Sequence, residues 1–337
     1  MGFDEMSAYD RTAWDACLKA VYDPRVRRLV PPRVRELTGK ASKVVSAGYE
    51  KVPGHEQADW VLEKAFDGSM ALTFRPALRT VRPDSVVRRV STRHPSVKKM
   101  SDLRGLSLEE CDTLRRSGLG WTIGSAAEGA ASSIVVTGAE VSATVSGGVT
   151  AGVAIGAIAT DVAATMAVMG RSIGVVASTY GYDVGLPEEE LFALGVMSLA
   201  SASTLSGKTA AMASLSRLAQ QMMRRAAWAQ LRCYWLVNAI DHAYKALGFT
   251  LTKKKLAQAV PVAGAVLNAG VNASLVHRTF RRAEAAYRLR FLSEKYDIDP
   301  AEWRRDLPAG SDEAEDVVQV DEELEAEIER AQGSESA

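Results

Sequence analysis

Apolar residues near the start of the chain recur at intervals of three and four. Over 8–22 (AYDRTAWDACLKAVY), Trp14, Cys17, Leu18 and Val21 fall on one side until Pro24 stops the pattern, which predicts a short amphipathic helix. The same spacing predicts helices over 33–48 and 57–66. Two prolines and a dense run of arginines over 80–99 predict a loop or short surface helices, with a boundary near residue 100. Ser107 followed by Glu109 and Glu110 is a helix start, a serine cap with acids in the first turn, and that helix ends on Gly118. From 161 to 180, Val162, Met166, Met169, Ile173 and Val176 form an apolar stripe closed by Gly181. After the turn YDVGLP, Pro187 with Glu188, Glu189 and Glu190 opens a helix over 188–201. Residues 209–247 predict one or two amphipathic helices with Arg217, Arg224 and Arg225 outward, ended by Gly248.

Two stretches break this amphipathic pattern. Residues 141–160, VSATVSGGVTAGVAIGAIAT, carry no charge and consist almost wholly of small residues. As a helix the run is roughly 30 Å long, enough to span a bilayer, but it has no Leu, Phe, Met or Trp. Its six Val and Ile side chains favour insertion by roughly −2 to −3.5 kcal/mol, against four glycines and five Ser or Thr. Gly148, Gly152 and Gly156 repeat at i, i+4 and i+8, a bare stripe against which another helix can press its backbone. The second run, 256–276, is equally free of charge but includes Gln258, Pro261, Asn268 and Asn272. Lys253, Lys254 and Lys255 precede it and Arg278, Arg281 and Arg282 follow; all six are read as basic surface, and charge on both sides gives no preferred crossing direction. The expectation is a pair of close-packing helices, through Gly148, Gly152 and Gly156 against Gly264 and Gly270. A basic amphipathic helix follows, with Phe280, Ala283, Tyr287 and Phe291 near one face. The fold class is therefore all-α, a multi-helix bundle with two glycine- and alanine-rich segments.

Composition adds size and setting. The 337 residues are 47% hydrophobic and 24% charged, enough for a sizeable core. Lys plus Arg and Asp plus Glu balance at 41 each, yet the charges segregate: 25–104 is mainly basic and 312–329 almost entirely acidic. Three organisational parts are expected: a basic helical region over 1–104, a helical domain over 105–300, and an acidic, disordered tail over 306–337 in which DEELEAEIERA could form a solvated helix. Cys17, Cys111 and Cys233 lie far apart and form no CxxC pair, which fits a reducing cytoplasm, and the acidic N-terminus lacks the apolar run of a secretory signal.

The order of a charge-free segment, a helix begun by Asp161 and ending in STYGYD, a proline-opened helix, and then VPVAGAVLNAGVNASLVHRTFRRAEAAYRLRFL resembles the EcsC family of bacterial proteins over roughly 105–300. The residues that carry the resemblance are Asp161, the Tyr180-Gly181-Tyr182-Asp183 turn, Pro261, Gly264, Asn272, and Ala283, Tyr287, Arg290 and Phe291. It implies an all-helical, membrane-associated cytoplasmic protein and carries over no catalytic residue.

Other motifs suggest chemistry but lack the context it needs. Residues 202–209, ASTLSGKT, fit a loose phosphate loop using Lys208, but a strand should precede it and a helix pattern does. Gly170-Arg171-Ser172-Ile173-Gly174 fits GxSxG, whose elbow requires a strand-to-helix turn; helical spacing on both sides makes Ser172 a small residue in a packed helix. His55-Glu56 begins like HExxH, but Asp59 replaces the second histidine, and His94, His242 and His277 have no partner at ligand spacing, so no metal site and no cofactor are expected. Asp161, at the end of a charge-free run, is read as the cap of the next helix. The leading expectation is a non-enzymatic protein, peripheral or monotopic at the inner face of the membrane, that binds anionic lipid or a membrane protein. One alternative is a hydrolase or nucleotide-dependent enzyme using Ser172 or Lys208. The other is nucleic-acid binding by the basic N-terminal region, where few aromatics stand between the arginines.

Overall fold

The computed structural model describes residues 2–22, 69–115, 166–202, 204–224, 238–247, 264–304 and 317–335. Among them there are helices and no strands: α1 (Ala8–Tyr22), α2 (Ser69–Leu78), α3 (Pro83–Ser91), α4 (Leu108–Leu114), α5 (166–179), α6 (Pro187–Ser201), α7 (Leu205–Met223), α8 (238–247), α9 (Gly264–Tyr296) and α10 (Val320–Glu335). The first charge-free run, with Gly148, Gly152, Gly156 and Asp161, lies outside the described residues, as do Lys253, Lys254, Lys255 and Pro261.

Helix α6 is the centre of the packing. Every residue from Glu189 to Ser201 is buried, as expected of a helix that is apolar or small on all sides. Helices α7, α9 and α10 cover it. Helix α1 lies along α9, with Trp14, Cys17 and Val21 turned inward as the 8–22 pattern predicts. The basic N-terminal region thus contributes a helix to the same core.

Helices α2 and α5 meet backbone to backbone. A Cβ added to Gly170 would lie 2.7 Å from the Phe74 carbonyl oxygen, and one added to Gly174 would fall still closer to that of Leu78. The glycines of the GxSxG pattern are therefore a four-residue small-residue spacing, a groove for a neighbouring helix. Ser172, between them, is buried and donates to the Val168 carbonyl at 2.8 Å.

Four expectations are corrected. The described part of the second charge-free run, 264–276, and the basic helix after it are continuous: α9 runs unbroken for 33 residues from Gly264 to Tyr296. Gly264, Gly270 and Asn272 belong to this helix. Arg282, expected on a solvated face with Arg278 and Arg281, is 5% exposed. Its Nη1 donates to the carbonyls of Leu199, Ala200 (3.1 Å) and Ala202 (2.7 Å), supplying a cation and donors where the end of α6 has spare acceptors. In the described part of the acidic tail, where a helix was expected to be solvated, α10 packs on the core instead. Val318, Val320 and Leu324 are buried, Arg217 pairs with the buried Asp321, and the Ser198 hydroxyl donates to the Val318 carbonyl at 2.6 Å. Arg217 faces this helix rather than open solvent.

Ser107 caps α4 as predicted. Its hydroxyl accepts the Glu110 N–H at 3.2 Å, and the Glu110 carboxylate accepts the Ser107 N–H at 2.7 Å. The Ser107 N–H and hydroxyl, both donating to that carboxylate, hold the Glu110 pKa below its ordinary 4.5. A depressed carboxylate contributes stability that is present above the ordinary carboxylate range and lost as pH falls through the folded value. Glu110→Gln removes that titration, so its melting temperature should decline less steeply below about pH 4.5 than the wild type's; equal slopes would contradict the assignment.

Candidate functional site

The tyrosine turn after α5 is built by one residue without a side chain. Gly181 has φ +82°, and a Cβ there would meet the Met100 carbonyl oxygen at 2.9 Å and Leu103 Cβ at 3.0 Å. The Tyr182 N–H donates to the Ala177 carbonyl at 3.0 Å and the Gly181 N–H to that of Ser178 at 3.3 Å, closing α5 by paired bonds across a left-handed residue. Tyr180 and Tyr182 flank this glycine and are both fully enclosed. The Asp183 carboxylate accepts the Gly185 N–H at 2.9 Å and shapes the approach to Pro187.

Two arginines of α9 reach this turn on either side. Arg288 donates to Asp112 Oδ1 at 2.6 Å and to the Tyr180 hydroxyl at 2.8 Å, while Tyr180 and Tyr9 both donate to the same carboxylate, at 3.1 and 2.6 Å. Glu284, one turn earlier, pairs with Arg288 at 3.0 Å and with Arg115 at 2.6 Å. Arg290 forms a two-pronged pair with Glu189, both bonds 2.7 Å, and donates to Glu294 at 2.9 Å. Its guanidinium lies 4.2 Å from the Tyr182 ring centroid and 4.6 Å from that of Phe192. Tyr287 packs 5.5 Å from Tyr182 and 5.2 Å from Phe192, and Phe291 lies 6.0 Å from Tyr180.

A third buried carboxylate sits beside this pair. Glu190 accepts from Arg79 on Oε2 at 2.6 Å and from Tyr244 on Oε1 at 2.8 Å, and Arg75 Nε also lies 2.7 Å from Oε1. Asp112, Glu189 and Glu190 are all buried, and each is held by cations distant in sequence. A buried carboxylate so held binds helices together, because removing either partner leaves an uncompensated charge.

Electrostatics favour fixed charge over proton transfer. Burial pushes the Tyr180, Tyr182 and Tyr287 hydroxyls above their ordinary range, so all three stay protonated. Burial likewise raises Cys17 and Cys111 to about 12, which leaves both as neutral thiols. Burial alone would lower the pKa of Arg290, but Glu189 and Glu294 hold it well above the ordinary value. Burial also raises Glu189, against the opposing pull of Arg290.

The enzyme candidates fall outside this cluster. Ser172 sits in mid-helix with its hydroxyl on the preceding turn. Lys208 is in the first turn of α7, whose start is capped by Thr204 accepting the Gly207 N–H at 3.0 Å, and the element before it is α6 rather than a strand. His94 Nδ1 lies 3.8 Å from Glu110 Oε1, His242 Nε2 lies 3.4 Å from Glu327, and His277 is exposed. Among the described residues no group of three metal-ligating side chains occurs. Ser172→Ala should leave the unfolding free energy within about 1 kcal/mol of wild type, since alanine is the better helix former and only a side-chain bond is lost. A larger loss in denaturant unfolding would assign the hydroxyl a further role.

A protein-family comparison matches residues 13–292 to the EcsC protein family. The chain belongs to this family. No curated protein and no solved structure matches it. The match begins within α1, well before the 105–300 span of the sequence resemblance, and ends before α10. Of the residues that carried the resemblance to EcsC proteins, the structure brings Tyr180, Tyr182, Tyr287, Arg290 and Phe291 into one buried cluster. Asp112, Glu189, Glu190, Arg288, Arg75 and Tyr244 complete the polar core and were missed. The available signals were the Tyr-Gly-Tyr repeat and the four-residue spacings Glu284/Arg288 and Arg290/Glu294 on one helix.

Proposed function

We propose that this EcsC-family protein is non-enzymatic and membrane-associated, peripheral or monotopic at the cytoplasmic face, and binds lipid or a membrane-protein partner. The observation that carries the reading is α9. At 1.5 Å per residue its 33 residues extend about 50 Å. Its first 13 residues, 264–276, carry no charge, and the remainder is pinned into the core by Arg282, Arg288 and Arg290. A charge-free helix end is thus joined without a break to the packed core, an arrangement suited to pressing against another helix or an interfacial layer. Among the described residues no helix is long and apolar enough to cross a membrane. The buried carboxylates are already held by arginines and tyrosines, which supports a binding role over acid–base chemistry.

Liposome flotation of the full chain with neutral and anionic vesicles tests the reading. Co-flotation with either is the expected result, with persistence in high salt marking insertion and loss in high salt marking a surface mode. No flotation with either composition refutes membrane association by lipid contact.

A further inference from the structure

We propose that α3 and the turn after it form a cationic contact face for anionic lipid headgroups, an assignment that rests on the membrane reading above. Residues 82–99 contain six Lys or Arg and a single acid, Asp84. Structure sorts them by side: Val86 and Val90 are buried at 3% and 0%, whereas Arg82, Arg88, Arg89, Arg93, Lys98 and Lys99 are all exposed. The neighbouring acid, Asp102, is occupied by the backbone, accepting the Lys98 and Lys99 N–H groups at 2.9 and 3.0 Å. Arg75 and Arg79 pair with Glu190 and Arg104 pairs with Glu294, so these nearby arginines are not counted in the face. The face ends at Glu109 and Glu110, which border Arg93 and His94 in an open cleft of about 340 Å³.

A short helix held down by two valines, with cations outward, presents its charges together to a flat surface of opposite sign. Duplex or single-stranded nucleic acid is the competing occupant. The segment offers no Phe, Tyr or Trp on which a base could stack, and its one imidazole, His94, is half-buried beside Glu110, which favours a lipid surface.

Flotation of full-length Arg82→Gln/Arg88→Gln/Lys98→Gln with phosphatidylserine-containing vesicles tests the assignment. Three lost surface cations should reduce partitioning on the order of a hundredfold relative to wild type. The exposed positions predict an unchanged melting temperature, and binding by the wild type should weaken as salt rises. A control with the same loss of charge elsewhere on the exposed surface, Lys19→Gln/Arg224→Gln/Lys245→Gln, should partition like the wild type. Equal loss in both variants would overturn the face in favour of net charge. Undiminished flotation of the first variant would overturn it while leaving the membrane reading intact. Failure of the wild type itself to float would refute that reading and the face with it. Binding to duplex DNA that only the first variant loses, with flotation unchanged, would reassign the face to nucleic acid and overturn the proposal.

Discussion

Replacing Arg290 with Met should cost about 3–5 kcal/mol of folding free energy, because it strands the Glu189 carboxylate in a site that excludes water. Methionine keeps most of the volume between Tyr182 and Phe192, so the loss reports charge rather than an empty space. The double replacement Glu189→Gln/Arg290→Met removes both charges and should recover much of that loss. Guanidinium unfolding of wild type, both single variants and the double variant closes the cycle. If the double variant were destabilised by the sum of the singles, the two side chains would not be coupled and the buried pair would lose its place at the centre of the fold.

Gly174→Ala should destabilise by about 2–3 kcal/mol, although alanine on an ordinary helix surface is worth about 1 kcal/mol more than glycine. The added methyl group would fall on the Leu78 carbonyl oxygen, a backbone atom that moves only if α2 moves with it. Gly105→Ala serves as the reference, since nothing lies within 4 Å of the position its Cβ would take. That variant should unfold within about 0.5 kcal/mol of wild type. A Gly174→Ala protein as stable as its parent would show that α2 and α5 do not meet along their backbones.

Local signals were legible where the cause is local. The periodicity of 8–22, the Ser107 cap, the glycine after Tyr180 and the proline before Glu188 each act within one turn of chain, and each marks the element it predicts. Partners distant in sequence were not. Glu189 and Glu190 read as acids suited to the positive end of a helix, a role that needs no partner. Their arginines come from 101 residues later and 111 residues earlier, and nothing in the helix itself announces them. Arg282 read as solvated for the same reason, because its acceptors are the carbonyls of another helix. The tail misled through composition: its acids suggest a chain too charged to pack, yet one of them meets Arg217 and three apolar residues find cover. In GxSxG, attention to the serine hid the glycines, whose four-residue spacing is what brings two helices into contact.

Helix α6 has a consequence for mutational tolerance. A helix with one wet side lets about half its positions drift, and substitution effects rise and fall with its turn. From Glu189 to Ser201 there is no such permissive side. A full substitution scan across these residues should return a nearly flat band of intolerance, even at its alanines and serines, where a single added methylene has nowhere to go. The residues least free to vary are thus among the smallest and chemically plainest in the protein.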